Sequence, residues 1–426
     1  MRIPVRAYWM AGYVVLIGSV FVMLLVARPI DDARAALLLS FSWLLIGVVA
    51  IACSLGDVKG EVWGKAPRAF AYIPIAAVAA FVLVVNLDVV AADIYYKRGS
   101  NADGARQWVA SVANYQKALA VAPAQDWYYI FLGRAFLALA EGKPQPKDAA
   151  AVNAPPFTVE EIRSIPASQV SGMGRAQLLE ASRAAFEEAL RLNPLNPDHY
   201  ANLGRLYRYW GESVDRAKLD LSVKYLEDAI VVTPNTAHVY ADLARTFISK
   251  EEYQRAVDTL NRTLKLDPEY AVTRSLTADA YQGLEQWDLA MAEYVKAIEL
   301  DPSYLSADTR AEQKVQKFVA AGKGEELAEA VHRLAKQYPT SIAVRNLNGY
   351  ILTRLSRYEE AVVEYQAMLA VDASDWIAHR NLALTYQKLG LNDKAVASAQ
   401  AAVAGAPQGE KKSLEALINT LQGRQP

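Results

Sequence analysis

The sequence predicts an all-α protein: transmembrane helices followed by a solenoid of helix pairs. Two observations carry this. Three long apolar runs fill the first 92 of the 426 residues, and beyond them a helix ending recurs at nearly constant spacing. Charge separates the two parts as well. The formal charge of -1 divides into +2 for residues 1 to 92 (seven Lys and Arg against five Asp and Glu) and -3 for the rest (38 against 41). With no basic excess in the second part, nucleic acid is excluded as an expected partner.

The apolar runs, at about 7–27, 35–55 and 69–88, each approach the roughly 20 residues that cross a hydrocarbon core. The first follows a charged start, MRIPVR, but is longer than a signal-peptide core and is followed by two more, so it reads as a retained span. Orientation follows the basic residues near the span ends. Arg2, Arg6, Lys59, Lys65 and Arg68 flank one side, against Arg28 and Arg34 on the other. The expectation is a multi-pass protein of the cell membrane with a cytoplasmic N-terminus and a periplasmic or extracellular second part. No Gly/Pro/Ser linker follows the third run, so the second part is expected to be mounted on it directly.

From residue 93 the chain repeats an ending: ALAVAP, ALRLNP, AIVVTP, TLKLDP, AIELDP, and more weakly MLAVDA and AVAGAP. The closing residues are Pro123, Pro194, Pro234, Pro268, Pro302, Pro339, Ala373 and Pro407, separated by 71, 40, 34, 34, 37, 34 and 34 residues. A small-and-large pattern accompanies the period. Tyr240, Leu243, Ala244, Phe247, Ala256 and Leu260 recur as Ala278, Tyr281, Ala290, Tyr294 and Ala297, and again as Leu382, Ala383, Tyr386, Ala395 and Ala402. This pattern resembles the tetratricopeptide repeat, two antiparallel helices in 34 residues. About eight helix pairs are expected over 93–407. A proline-rich loop insertion at about 141–178 interrupts the second, the sixth is degenerate, and residues 408–426 form a capping helix and tail.

In the stretch NPLNPDHYANLGRLYRYWG, Tyr200, Leu203, Gly204 and Tyr207 recur at i, i+3, i+4 and i+7 and are expected to pack. The other face holds Asp198, Ala201, Arg205, Arg208 and Tyr209, positions that line the concave groove of such repeats. Arg134 and Arg245 take the position of Arg205 in the flanking repeats, and His238 is assigned to the same groove. Arginine suits bidentate contact with carboxylate or phosphate, which points to an anion-binding column. Ordinary pairing with Asp198 and Asp242 is the alternative. The column stops at Asp279 in the fifth repeat.

No catalytic signature stands out. His199, His238, His332 and His379 lie on four separate repeats, and Cys53 is the lone cysteine, inside an apolar run. Paired-histidine metal motifs, Gly-rich phosphate loops and nucleophile elbows are missing from the sequence. No cofactor, metal or enzymatic activity is expected.

The run from ADIYYKRGS through QWVASVANYQKALAVAPAQDWYYIFLGRAFLALAEG to LNPLNPDHYANLGRLYRYWG resembles the end of bacterial O-antigen ligase/polymerase membrane proteins that carry a C-terminal tetratricopeptide domain. The resemblance spans roughly Arg68 to Pro268. It implies an outer-side repeat domain beside a many-span bundle that transfers glycan from a polyprenyl diphosphate carrier. Three spans replace ten or more, and the large external loop is missing, so no catalytic residue carries over. The expected function is a non-catalytic membrane-anchored scaffold holding a protein or peptide in a cell-envelope complex, with a polytopic membrane protein as a further partner through the spans. An accessory subunit of glycan transfer, touching an anionic glycan or lipid-linked partner, is the alternative.

Overall fold

The computed structural model describes residues 90–144, 154–307 and 310–422. The expected spans at 7–27, 35–55 and 69–88 lie outside them. Among the described residues no helix is long and apolar enough to cross a membrane. The chain divides into two compact units, one ending at Arg216 and the other beginning at Ala217.

The first unit opens with helix α1, running from residue 90 to 104. It continues through α2 (Trp108–Val121), α3 (Asp126–Glu141), α4 (Val159–Ser164), α5 (Ala167–Gly172), α6 (Arg175–Leu192) and α7 (Pro197–Ser213). Glycine sets how closely these helices approach. A Cβ on Gly99 would stand 2.5 Å from the Tyr115 ring, and one on Gly133 would stand 2.5 Å from Phe186. Each glycine therefore receives an aromatic knob from the partner helix. Tyr115 and Phe186 are buried as a result, and Tyr129 and Phe136 are buried in the same unit.

The insertion differs from the expected loop. Its described part folds into α4 and α5, and α6 already begins at Arg175, inside the expected insertion. Thr158 and Glu161 close a capping box at the start of α4, satisfying backbone donors that a loop would leave to water. Ile162, Ile165, Val170 and Met173 are buried. Gln116 on α2 donates from Nε2 to the carbonyls of Ile162 at 2.9 Å and Ile165 at 3.1 Å. Proline density signalled interrupted helices, and the apolar residues between the prolines pin them down.

The second unit holds α8 (Lys218–Val232), α9 (Ala237–Ser249), α10 (Tyr253–Leu266), α11 (Ala271–Gly283), α12 (Trp287–Leu300), α13 (Tyr304–Ala307), α14 (Ala311–Ala320), α15 (Gly324–Gln337), α16 (Ile342–Arg354), α17 (Tyr358–Val371), α18 (Trp376–Lys388), α19 (Asn392–Gly405) and α20 (Gln408–Leu421). The 34-residue period is written into its backbone. Glu251, Glu285, Gly322, Ser356 and Gly390 all take positive φ, between 59° and 74°, in the turn inside a pair. Between pairs, Asp267, Asp301 and Asp372 end their helices with φ of -143°, -151° and -135°. Proline explains the first two, because its ring excludes helical backbone from the residue before it. At Asp372, which precedes Ala373, the carboxylate accepts from the Ser374 N–H at 2.9 Å and the Ser374 hydroxyl at 2.7 Å, an Asx turn. The degenerate sixth repeat is tied to the fifth by a polar contact: Lys314 on α14 lies 3.3 Å from Asp279 on α11, both almost fully buried. The end of the chain presents α20, of which Leu414 is buried and the outer face is polar.

Candidate cleft of the first unit

The first turn of α7 is fixed by its sequence. Pro197 sits where a helix needs no N–H, and the Asn196 side chain accepts from the Asp198 N–H at 3.0 Å. His199, the next residue, is fully buried, and its Nε2 lies 2.8 Å from Asp126 Oδ2 at the start of α3. Asn193 donates to the same oxygen at 3.0 Å. Partial burial pushes the Asp126 carboxyl up, but the hydrogen bonds from His199 and Asn193 outweigh it and hold the carboxyl below its usual range. This three-residue clasp locks the entry of α7 onto the entry of α3.

Between those helices lies a cleft of about 330 Å³. Trp127, Ile130, Arg134 and Leu137 line it from α3, spaced as one helix face, and Asp198, Asn202 and Arg205 line it from α7. Phe186 and His199 contribute from behind. Arg134 is exposed, and its guanidinium lies 5.4 Å from the Phe131 ring. Phe131 in turn meets Trp127 edge-on at 5.0 Å and Tyr96 of α1 at 4.9 Å. An aromatic ledge thus adjoins two guanidinium-bearing side chains. Such a lining suits an apolar side chain next to a carboxylate or phosphate.

Family models described as tetratricopeptide repeat match residues 185–217, 237–270 and 276–304, and one described as TPR repeat matches 349–390. These stretches of the chain are tetratricopeptide repeats. No curated protein matches the chain. Among solved structures, YrrB, titled a TPR protein with an unusual peptide-binding site, is 18% identical, covering 56% of this chain and 98% of its own, with a TM-score of 0.29. Yeast Tom70 is 13% identical over 81% of this chain and 93% of its own, with a TM-score of 0.33. A tetratricopeptide repeat protein from Parabacteroides merdae is 14% identical over 58% and 93%, with a TM-score of 0.34. At these scores the likenesses carry no further argument.

Within the tetratricopeptide register, Arg134, Asp198 and Arg205 come together in the cleft. Arg208 and Tyr209 do not line it. Tyr209 is half-buried with the Arg175 guanidinium 5.8 Å from its ring, and burial raises its phenol. His238 and Arg245 belong to the second unit, on α9. His238 is exposed, while Arg245, half-buried, lies 3.7 Å from the buried carboxylate of Asp242. Trp127 and Ile130 are among the lining residues overlooked, with Leu137 and Asn202. Trp127 stands two places before the packing residue Tyr129, as Asp198 stands before Tyr200, so register alone could have flagged it. The contact of His199 with Asp126 spans 73 residues across the insertion, and no periodicity reports it.

A second cleft, about 420 Å³, lies in the second unit between α8, α9 and α10. Its guanidiniums stack on its own floor: Arg255 lies 4.1 Å from the Phe247 ring and Arg262 lies 5.1 Å from Tyr240. Among the described residues no group of three His, Cys, Asp or Glu side chains could hold a metal ion.

Proposed function

We propose that the protein is a membrane-anchored, non-catalytic tetratricopeptide scaffold whose first-unit cleft holds an extended segment of a protein partner in a cell-envelope complex. The observation that carries this is the convergence of Arg134 and Arg205 with Trp127 and Ile130 on one cleft. A segment bearing an acidic residue beside an apolar one meets both chemistries at once. The apolar runs before residue 90 supply the anchor, and the distribution of basic residues favours a cytoplasmic N-terminus with the repeats over 93–407 on the outer side.

Arg134→Glu combined with Arg205→Glu tests the cleft. Partners co-purifying in mild detergent should be lost from the double variant, and an unchanged set would refute the reading. A reporter fused after Pro426 tests topology: activity confined to the cytoplasmic side would reverse it. The same two arginines favour one second reading, an accessory subunit of an O-antigen ligase-type glycan transfer system that contacts an anionic glycan or lipid diphosphate. Recovery of a polytopic glycan-transfer protein with the intact chain, lost in the double variant, would select it.

A further inference from the structure

The entry of α1 and the turn between α6 and α7 bring three apolar side chains to one end of the first unit. Val90 is 42% exposed, Trp127 47% and Leu195 81%. Their common level follows from contacts. Helices α1 and α3 run parallel because α2 reverses the chain between them. Tyr96 lies six residues, about 9 Å of helix, beyond residue 90, and its ring meets Phe131. Trp127 lies one turn back from Phe131, about 6 Å toward the same end, so it is level with the first turn of α1. Leu195 is held beside it, because Asn193 and His199, on either side of that turn, both bond to Asp126.

This is also the end at which the chain enters. Residue 90 follows the third apolar run, 69–88, by a single residue. Exposed tryptophan and leucine beside a span are what the headgroup region of a bilayer accommodates, since an indole offers an apolar body and one polar N–H. The charges nearby are of both signs: Lys97 lies 3.0 Å from Asp93, Arg191 lies 2.7 Å from Glu188, Arg163 donates to the Leu119 carbonyl, and Asp126 is held by His199 and Asn193.

We infer that this end of the first unit, led by Trp127 and Leu195, lies in the interface of the bilayer that holds the preceding apolar runs. The contact is apolar and does not need anionic lipid. It rests on the proposed membrane anchor. Its consequence is orientation: the α3/α7 cleft opens immediately above the membrane, within reach of a partner's juxtamembrane segment.

The test uses the full chain, with Cys53→Ser, in phosphatidylcholine vesicles. Trp127→Cys, Leu195→Cys and, at the far end of α1, Asn101→Cys each carry an environment-sensitive fluorophore. Labels at 127 and 195 should be quenched by headgroup-level nitroxide lipids at least about twice as strongly as the label at 101. Equal quenching at all three sites in chains that float with the vesicles overturns this inference and leaves the anchor standing. Failure to float overturns both. Shielding from an aqueous quencher without quenching by the nitroxide lipid means that a second copy covers the end, and overturns the lipid contact.

Discussion

Removing the Asp126 carboxylate should open the turn that carries α7 while leaving the rest of the first unit folded. The carboxylate accepts from His199 and Asn193, and its other oxygen accepts from the Trp127 N–H at 2.9 Å. His199 is fully buried, and its Nδ1 makes no hydrogen bond among the described residues. In Asp126→Ala both ring nitrogens are therefore left without a protein partner. Bonds to a charged acceptor, and the orphaning of a buried donor, are each worth roughly 1.5 to 3 kcal/mol. Because the Trp127 bond is exposed and the Asn193 bond half-buried, about 2 to 3 kcal/mol is the expected total. Amide hydrogen exchange should then accelerate roughly 30- to 150-fold over residues 193–203, with little change in α2. Lys97→Ala, which breaks only an exposed pair with Asp93, is the control and should leave exchange nearly unaltered. Unchanged exchange at the α6/α7 turn would refute the clasp, and equal acceleration throughout the unit would show that it is not local.

The same carboxyl predicts an acid response. Its folded-state pKa is depressed, so its contribution is fully present above the unfolded value of about 3.9 and disappears as pH falls through the lower folded value. The difference between wild type and Asp126→Ala in exchange at the turn should vanish in that window. Lys314→Met removes one charge of the buried pair with Asp279 and should cost about 3 to 5 kcal/mol in urea unfolding of the second unit, whereas adding Asp279→Leu should restore much of it. Ser356 holds φ at +62° where the corresponding turns have Gly322 and Gly390. Ser356→Gly should therefore raise stability by up to about 1 kcal/mol, visible as a higher urea midpoint.

What could be read from the sequence was whatever the repeat enforces. Pro234, Pro268 and Pro302 announced helix ends because proline acts on its own neighbour, and Tyr207 announced burial because a helix face repeats locally. Tyr207 is indeed 4% exposed. The insertion was misjudged because prolines were weighed and the apolar residues between them were not. Ile162 and Val170 are fully buried. The cleft was half legible. Register placed Arg134, Asp198 and Arg205 in it, but the same register also assigned it Arg208 and Tyr209, which do not line it. Further along the same helix, the ring of Tyr209 meets Arg175 of α6 instead. Asp126 and His199 could not be paired beforehand, since their contact depends on how the insertion closes.

The helix ends of the second unit have a genetic consequence. At Asp267 and Asp301 the stop is specified twice, by the following proline and by an aspartate that accepts from the N–H two residues on, at 3.2 and 2.9 Å. At Asp372 the proline is gone, and the aspartate alone holds nearly the same backbone angles. Either instruction can therefore mutate without fusing two helices into one. Such a chain can drift far from its consensus while its architecture is inherited intact, and repeats counted by their prolines will be undercounted in old copies.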